Sequence, residues 1–216
     1  MEASVREYPK IETVWARDER TKRVVPGQCR WPEFGAVSRW WVTEKVDGTN
    51  IRIGMDESGQ VLIGGRTDRA QLPSALLSYL LATFTPEKLR GVFDTTDFTL
   101  FGEGYGPKIQ KGGGAYRADP AFRLFDVLVD HWWLEPENVA GVAQSLGVRT
   151  APALDIIATP PTTAEELDAI AGRSIVAAED GGSGCRAEGI VARSFPLMLT
   201  RHGDRVMWKL KYRDFD

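Results

Sequence analysis

The stretch Trp41-Val42-Thr43-Glu44-Lys45-Val46-Asp47-Gly48-Thr49-Asn50 decides how the chain is read. Aromatic and β-branched residues predict a strand over residues 40–46 and a second over 49–54. Between them stands Asp47-Gly48, a dipeptide that favours tight hairpins because glycine accepts the backbone angles such turns demand. The expectation is therefore a hairpin with Lys45 at the end of its first strand. A lysine so placed is held on a rigid edge, which suits a nucleophile. Taken alone, it is more often a solvated side chain at a strand end.

Working outward, Asp56-Glu57-Ser58-Gly59 turns the chain into a strand over 60–66. Pro73 opens a helix whose Leu76, Leu77, Leu80, Leu81 and Phe84 recur at helical spacing and are expected in the core. Residues 98–103 read as a strand, followed by a glycine-rich loop over 104–116 and another strand over 122–129. Pro136 opens a helix that Gly147 closes, and Thr162/Thr163 with Glu165/Glu166 form a capping box for a helix to Ala171. Gly181-Gly182-Ser183-Gly184 is a turn, and strands over 187–193 and 205–211 complete the pattern. Residues 8–36, with Pro9, Pro26 and Pro32, read as irregular and anchored by Trp15, Trp31 and Phe34. Strands outnumber helices and several pair as hairpins, which predicts an α+β fold with mainly antiparallel sheet.

The 216 residues, 43% of them hydrophobic and including seven Trp and nine Phe, suffice for a sizeable core. A net charge of −3 excludes an overall basic field, although residues 193–213 carry Arg193, Arg201, Arg205, Lys209, Lys211 and Arg213 against only Asp204. That run is either a solvated face or a local anion site. Cys29 and Cys185 lack partners at metal-ligand spacing, so neither a zinc site nor a disulfide framework is signalled. His131 and His202 sit in no nucleophile context, which disfavours a Ser/His/Asp or Cys/His hydrolase. The N-terminus lacks an apolar signal core, and no run approaches the ~20 apolar residues of a membrane span. A soluble intracellular protein without a membrane partner is expected.

Five stretches stand out in order: Lys45-Val46-Asp47-Gly48 with Arg66 as its satellite, Phe101-Gly102-Glu103-Gly104, Phe125-Asp126-Val127, Glu188-Gly189-Ile190-Val191, and Lys209-Leu210-Lys211. Each alone is weak, because glutamates beside glycines are commonly solvated turn acids and a strand Phe is commonly core. Together, in this order, they resemble the covalent nucleotidyltransferases, the superfamily of polynucleotide ligases and messenger-RNA capping enzymes. The third stretch of the closest branch, the phage-type nick-sealing ATP-dependent RNA ligases, is similar to Phe101-Gly102-Glu103-Gly104-Tyr105-Gly106-Pro107-Lys108-Ile109-Gln110-Lys111 well beyond the glutamate. Asn50 and Arg66-Thr67 also fall where that branch has them, and the resemblance runs from about Tyr8 to Phe215. Asp47 is the superfamily's usual residue, where the best-known phage member carries histidine.

The resemblance implies a nucleotidyltransferase domain, ATP-grasp-like, with two mainly antiparallel sheets flanked by helices and a nucleotide groove between them. It makes Lys45 the nucleophile that attacks the α-phosphorus of ATP, giving lysyl-AMP and pyrophosphate. Lys209 and Lys211 contact the α-phosphate, while Glu103 and Arg66 hold the ribose and phosphate. Phe125 stacks on the adenine, Glu44 borders its edge, and Asn50 engages the 5′-phosphate of the substrate. Glu188, and Asp126 as assistant to it or to Phe125, serve Mg²⁺ or Mn²⁺; Arg173 is a further candidate on the pyrophosphate or ribose side. One point is independent of the family: Lys209 and Lys211 flank Leu210, so on a strand both amines face one side.

The expected activity is that of an ATP-dependent RNA ligase of RNA repair, working in the cytoplasm. It passes AMP to an RNA 5′-phosphate and seals that end to a 3′-hydroxyl, in nicked duplex or single strands. The alternatives are a small ATP-dependent DNA ligase, a guanylyltransferase, or a non-catalytic module that binds nucleic-acid ends on the same fold. Residues 1–216 are expected to form a single adenylylation domain without the clamping domain that ligases usually carry after the last motif. On that expectation self-adenylation is complete in this chain, while sealing leans on a protein partner.

Overall fold

The computed structural model describes residues 5–216. In chain order the elements are β1 (Trp15–Arg17), β2 (Val24–Cys29), α1 (Pro32–Ala36), β3 (Trp40–Lys45), β4 (Thr49–Met55) and β5 (Val61–Gly64). Then come α2 (Ser74–Thr83), α3 (Pro86–Arg90), β6 (Phe98–Tyr105), β7 (Ala121–Val129), β8 (Trp132–Trp133), α4 (Pro136–Leu146) and β9 (Arg149–Thr150). The last are β10 (Ala153–Ile157), α5 (Ala164–Ala171), α6 (Ile175–Glu179), β11 (Gly189–Ser194) and β12 (Met207–Lys211). The α+β class with antiparallel sheets stands. These elements belong to two compact units: one takes the chain up to Pro9, Asp47–Ala151 and Asp180–Ser183, the other Lys10–Val46, Pro152–Glu179 and Gly184–Asp216.

The first unit is a sheet ordered β5-β4-β6-β7-β8, with β9 added in parallel beside β7. Its core lies on one face. Ile51 and Ile53 of β4, Leu100 of β6, and Phe122, Leu124 and Val127 of β7 pack there with Leu76, Leu80 and Phe84 from the α2 segment and Val139, Ala143 and Leu146 of α4. Leu81, expected in that core, is 51% exposed, because the helix presents only the Leu76–Leu80–Phe84 line to the sheet. Alternation along β7 is broken once: Phe101 pairs with Asp126 but Gly102 with Leu124, so the strand carries a bulge at Phe125. An unbroken strand would turn Asp126 into the hydrophobic cluster. The extra residue keeps Asp126 on the other face and returns Val127 to the core.

Behind that sheet, Asp180 gathers charge. It accepts hydrogen bonds from Tyr105, Arg123 and Arg149, and the last two lie 3.0 Å away. Burial, with the Asp180 carboxylate next, pushes the Tyr105 phenol up to about 12, so it remains a donor at any physiological pH.

The second unit has a four-stranded antiparallel sheet ordered β10-β3-β11-β12 and a small β1-β2 ribbon. Its separate core contains Trp15, Phe34, Trp40, Val42, Leu167, Ile190, Trp208 and Leu210. Residues 8–36, read as irregular, thus contain two strands and a short helix. Trp15 and Phe34 anchor them as expected, whereas Trp31 is 48% exposed, its ring under the Arg30 guanidinium. The α5 cap forms through Thr163, whose hydroxyl accepts from Glu166 N, while the Glu166 carboxylate reaches back to Thr162 N.

The hairpin expected at Asp47-Gly48 does not form. β3 pairs with β10 and β11, whereas β4 pairs with β5 and β6. The dipeptide is the crossing from one sheet to the other. Its glycine is required by close approach rather than by a turn: a Cβ on Gly48 would lie 2.3 Å from the Gly104 carbonyl oxygen. Asp47 N donates to Tyr116 Oη at 3.2 Å, and Gln110 Nε2 donates to Gly48 O at 3.1 Å.

A similar constraint sits at Gly102, where an added Cβ would fall 2.1 Å from Phe122 Cζ and 2.5 Å from Arg123 O. Gly102→Ala should therefore cost about 1–3 kcal/mol by overpacking, or roughly 2–4 °C of Tm per kcal/mol in a chain of this size. A thermal melt of the variant checks this; an unchanged Tm would mean that the β6–β7 pairing yields more easily than its geometry indicates.

Candidate active site

In the second unit the register across the sheet does the positioning. Gly189 of β11 stands opposite Lys45 on one side and Lys211 on the other. Cross-strand partners project to the same face, so the two lysines rise on either side of a residue with no side chain. Glu188, immediately before that glycine, receives both: Lys45 Nζ lies 2.8 Å from Glu188 Oε2, and Lys211 Nζ donates to Oε1. The side chains are only 19%, 13% and 15% exposed for Lys45, Lys211 and Glu188, so solvent screens the cluster weakly. Burial pushes the Glu188 carboxyl upward, but Lys45 and Lys211 outweigh it and hold the group below its ordinary value.

One row further along, Val191 pairs with both Thr43 and Lys209. Lys209 therefore shares the face of Lys211, as the alternation around Leu210 requires. Its main chain is tied to the preceding segment: Lys209 N donates to Glu12 O and Val14 N to Lys209 O. The basic run over 193–213 is not one solvated face, since Arg193 is 7% exposed. Arg173 is exposed and borders an open cavity of about 350 Å³ with Asp168, Cys185 and Arg186.

Glu44, expected at the adenine edge, is 2% exposed and lies on the opposite face of β3 from Lys45. Its carboxylate accepts from Ser174 Oγ, from Ile175 N at 2.8 Å and from Val176 N at 3.2 Å. It anchors the start of α6 beneath the strand that carries Lys45.

In the first unit Asn50 and Glu103 are cross-strand partners on the face away from the core. Asn50 Oδ1 is buried and accepts no hydrogen bond, an acceptor left for a donor from elsewhere. Phe125 is half-buried beside the bulge and outside the core cluster, with its ring edge-on to Tyr8 at 5.1 Å. Arg66 is exposed on the loop after β5. Asp126 is fully buried and accepts from Tyr8 Oη at 2.6 Å. It thereby supports the aromatic group of Tyr8, Phe101, Phe125 and Trp133. Sequence reasoning missed Tyr8 because nothing local marks it; its partners come from distant strands.

Among the described residues no three His, Cys, Asp or Glu converge as a metal cage. Glu188 alone fits the kind of site in which a divalent ion is held largely by nucleotide phosphates with one protein carboxylate. Nor, among the described residues, is any helix long and apolar enough to cross a membrane.

The RNA ligase family model matches residues 38–211, a span that includes every stretch described above from Lys45 to Lys211. The chain belongs to the RNA ligase family. Among solved structures it is similar to a Naegleria gruberi RNA ligase with pyrophosphate, at 18% identity and TM-score 0.60 over 96% of this chain and 62% of that one. A variant of that ligase with ATP and manganese gives 18% identity and TM-score 0.64 over 99% and 62%. An archaeal ATP-dependent RNA ligase gives 16% and 0.59 over 97% and 49%. At such identities the likeness is one of fold. This RNA ligase family member spans from about half to about three-fifths of the length of those chains. No curated protein matches it.

The Glu188 cluster predicts an acid dependence. The folded carboxyl lies below its ordinary 4.5, so its contribution to stability is complete above that pH and is lost as pH falls through the folded value. Glu188→Gln should cost on the order of 1–3 kcal/mol at neutral pH, between the values for exposed and buried pairs. Denaturant unfolding of both proteins across acidic pH should show the difference shrinking only below about 4.5. A gap that stays constant to pH 3 would contradict the assignment.

Proposed function

We propose that this member of the RNA ligase family performs ATP-dependent RNA ligation through a covalent lysyl-AMP. The observation that carries the reading is the row Lys45–Gly189–Lys211 with Glu188 between the two ammonium groups. A reactive amine must stand on a rigid element, close to cations that take up charge from a phosphate, and this row supplies both. Lys45 loses its proton and its Nζ forms a bond to the α-phosphorus of ATP. The α–β anhydride bond breaks, and pyrophosphate leaves with the electron pair. Lys211 and Lys209, on the same face, hold the α-phosphate oxygens. AMP then passes to the 5′-phosphate of an RNA strand, and a 3′-hydroxyl displaces it to form the phosphodiester.

A divalent ion, Mg²⁺ or Mn²⁺, would neutralise phosphate charge when bound, with Glu188 as its protein ligand. Glu188 must then give up its contact with Lys45, which leaves the amine beside a like charge on Lys211. In the first unit, Glu103 and Arg66 hold the ribose and phosphate, and Asn50 engages the substrate's 5′-phosphate through its amide donors. Phe125 provides the base platform. The RNA ligases of known structure with ATP or AMP and manganese support ATP and a divalent metal for this chain.

Two measurements test this. Incubation with α-labelled ATP and Mg²⁺ or Mn²⁺ should leave label on the protein through a denaturing gel, and Lys45→Ala should abolish it while the variant still folds and melts cooperatively. Undiminished labelling of that variant would remove Lys45 from the role, and preferential labelling by GTP would indicate a guanylyltransferase. Phe125→Ala should raise the ATP concentration for half-maximal labelling by about 5- to 150-fold, the equivalent of about 1–3 kcal/mol of stacking. Its Tm should fall little, because Phe125 lies outside the core cluster. A collapse of Tm with normal ATP use would assign Phe125 to packing.

A further inference from the structure

The first unit contains an arginine that the proposed reaction does not use. Arg52, in the middle of β4, is 1% exposed, and burying a guanidinium demands that its donors be met. They are met by the loop that follows β5. Arg52 Nε donates to Gly65 O at 2.6 Å and Nη2 to Asp68 Oδ1 at 2.8 Å, while Nη1 donates to Val5 O at 2.6 Å. Gly65 and Asp68 bracket Arg66 and Thr67. The strand register explains how the side chain reaches them. Arg52 is paired with Gly64, and a Cβ there would come within 3.2 Å of Nη2, so the guanidinium passes over bare backbone to the loop. The loop also closes on itself, with Ala70 N donating to Thr67 O at 3.0 Å.

We propose that Arg52, acting through Gly65 and Asp68, is a positioning residue that presents Arg66 to the ribose and phosphates of the nucleotide. This rests on the ligase reading given above. An exposed arginine on a free loop loses much conformational entropy on meeting a ligand; one whose loop is pinned on both sides has lost part of it beforehand. Lysine cannot replace Arg52, since only a planar fork meets a carbonyl and a carboxylate at once.

The informative variant is Asp68→Ala. The Asp68 side chain is 72% exposed, so its loss releases one arm of the clamp without opening the core. In the self-adenylation assay it should raise the ATP concentration for half-maximal labelling about fivefold, with the maximal rate little changed and Tm within about 2 °C of wild type. Arg66→Ala should raise it at least as much, and the double variant should be no worse than Arg66→Ala alone, because the clamp acts only through Arg66. Arg52→Lys should reproduce the Asp68→Ala shift; should it fail to fold, the Asp68→Ala cycle decides alone. Normal ATP dependence in Asp68→Ala, or factors that multiply in the double variant, would overturn the clamp while leaving the ligase reading intact. Wild-type protein that takes no label from ATP would instead overturn the ligase reading and the clamp with it.

Discussion

Two ammonium groups brought to one carboxylate set the terms for the second unit. Lys45 and Lys211 repel each other, and Glu188 between them makes their approach favourable. To seat that carboxylate between two lysines, the strand next to it must lie between theirs, and the sheet order β10-β3-β11-β12 places it there. The row opposite both lysines must also carry no side chain, and Gly189 meets this: a Cβ would stand 2.1 Å from Leu210 O. Lys209 follows from the same register, two residues along one strand. The cations are thus arranged around a single counter-charge, which offsets their mutual repulsion.

Much of this was legible in the sequence. The strands on which Lys45, Glu103, Phe125 and Lys211 sit declare themselves by their aromatic and aliphatic residues, and the Lys209-Leu210-Lys211 pattern states its geometry outright. Where the reading failed, the deciding contact was remote. Asp47-Gly48 has the composition of a hairpin turn, but Gly104, far along the chain, claims the glycine. The contacts of the Glu44 carboxylate with Ser174 and the start of α6 are equally remote in sequence. Asp126 is placed by a bulge, and a one-residue shift in register cannot be seen in one strand alone. β10, which flanks β3, went unread because Ala153–Ile157 has neither clear alternation nor turn signals at both ends.

Buried polar side chains in the first unit form two arrangements of different purpose. Asp180 collects Tyr105, the buried Arg123 and the more exposed Arg149 into one group, and it ties Asp180–Ser183 to the rest of the unit. Arg52 instead spends its donors on a surface loop. The first is the sort of network that fixes one packing; the second transmits that rigidity outward to a side chain exposed to solvent.

The pairing order also bears on how the chain matures during synthesis. Strands β4, β5, β6 and β7, with helices α2 and α4, follow one another between Thr49 and Leu146, so the first sheet and its core can assemble as that stretch emerges. β3 is made earlier, yet its neighbours are β10 and β11, and it has to wait with its aromatic face uncovered until they appear. Trp40 and Val42, fully buried at the end, are exposed for that interval. The strand that bears Lys45 is thus a segment of the nascent chain with particular need of protection until its neighbours are made.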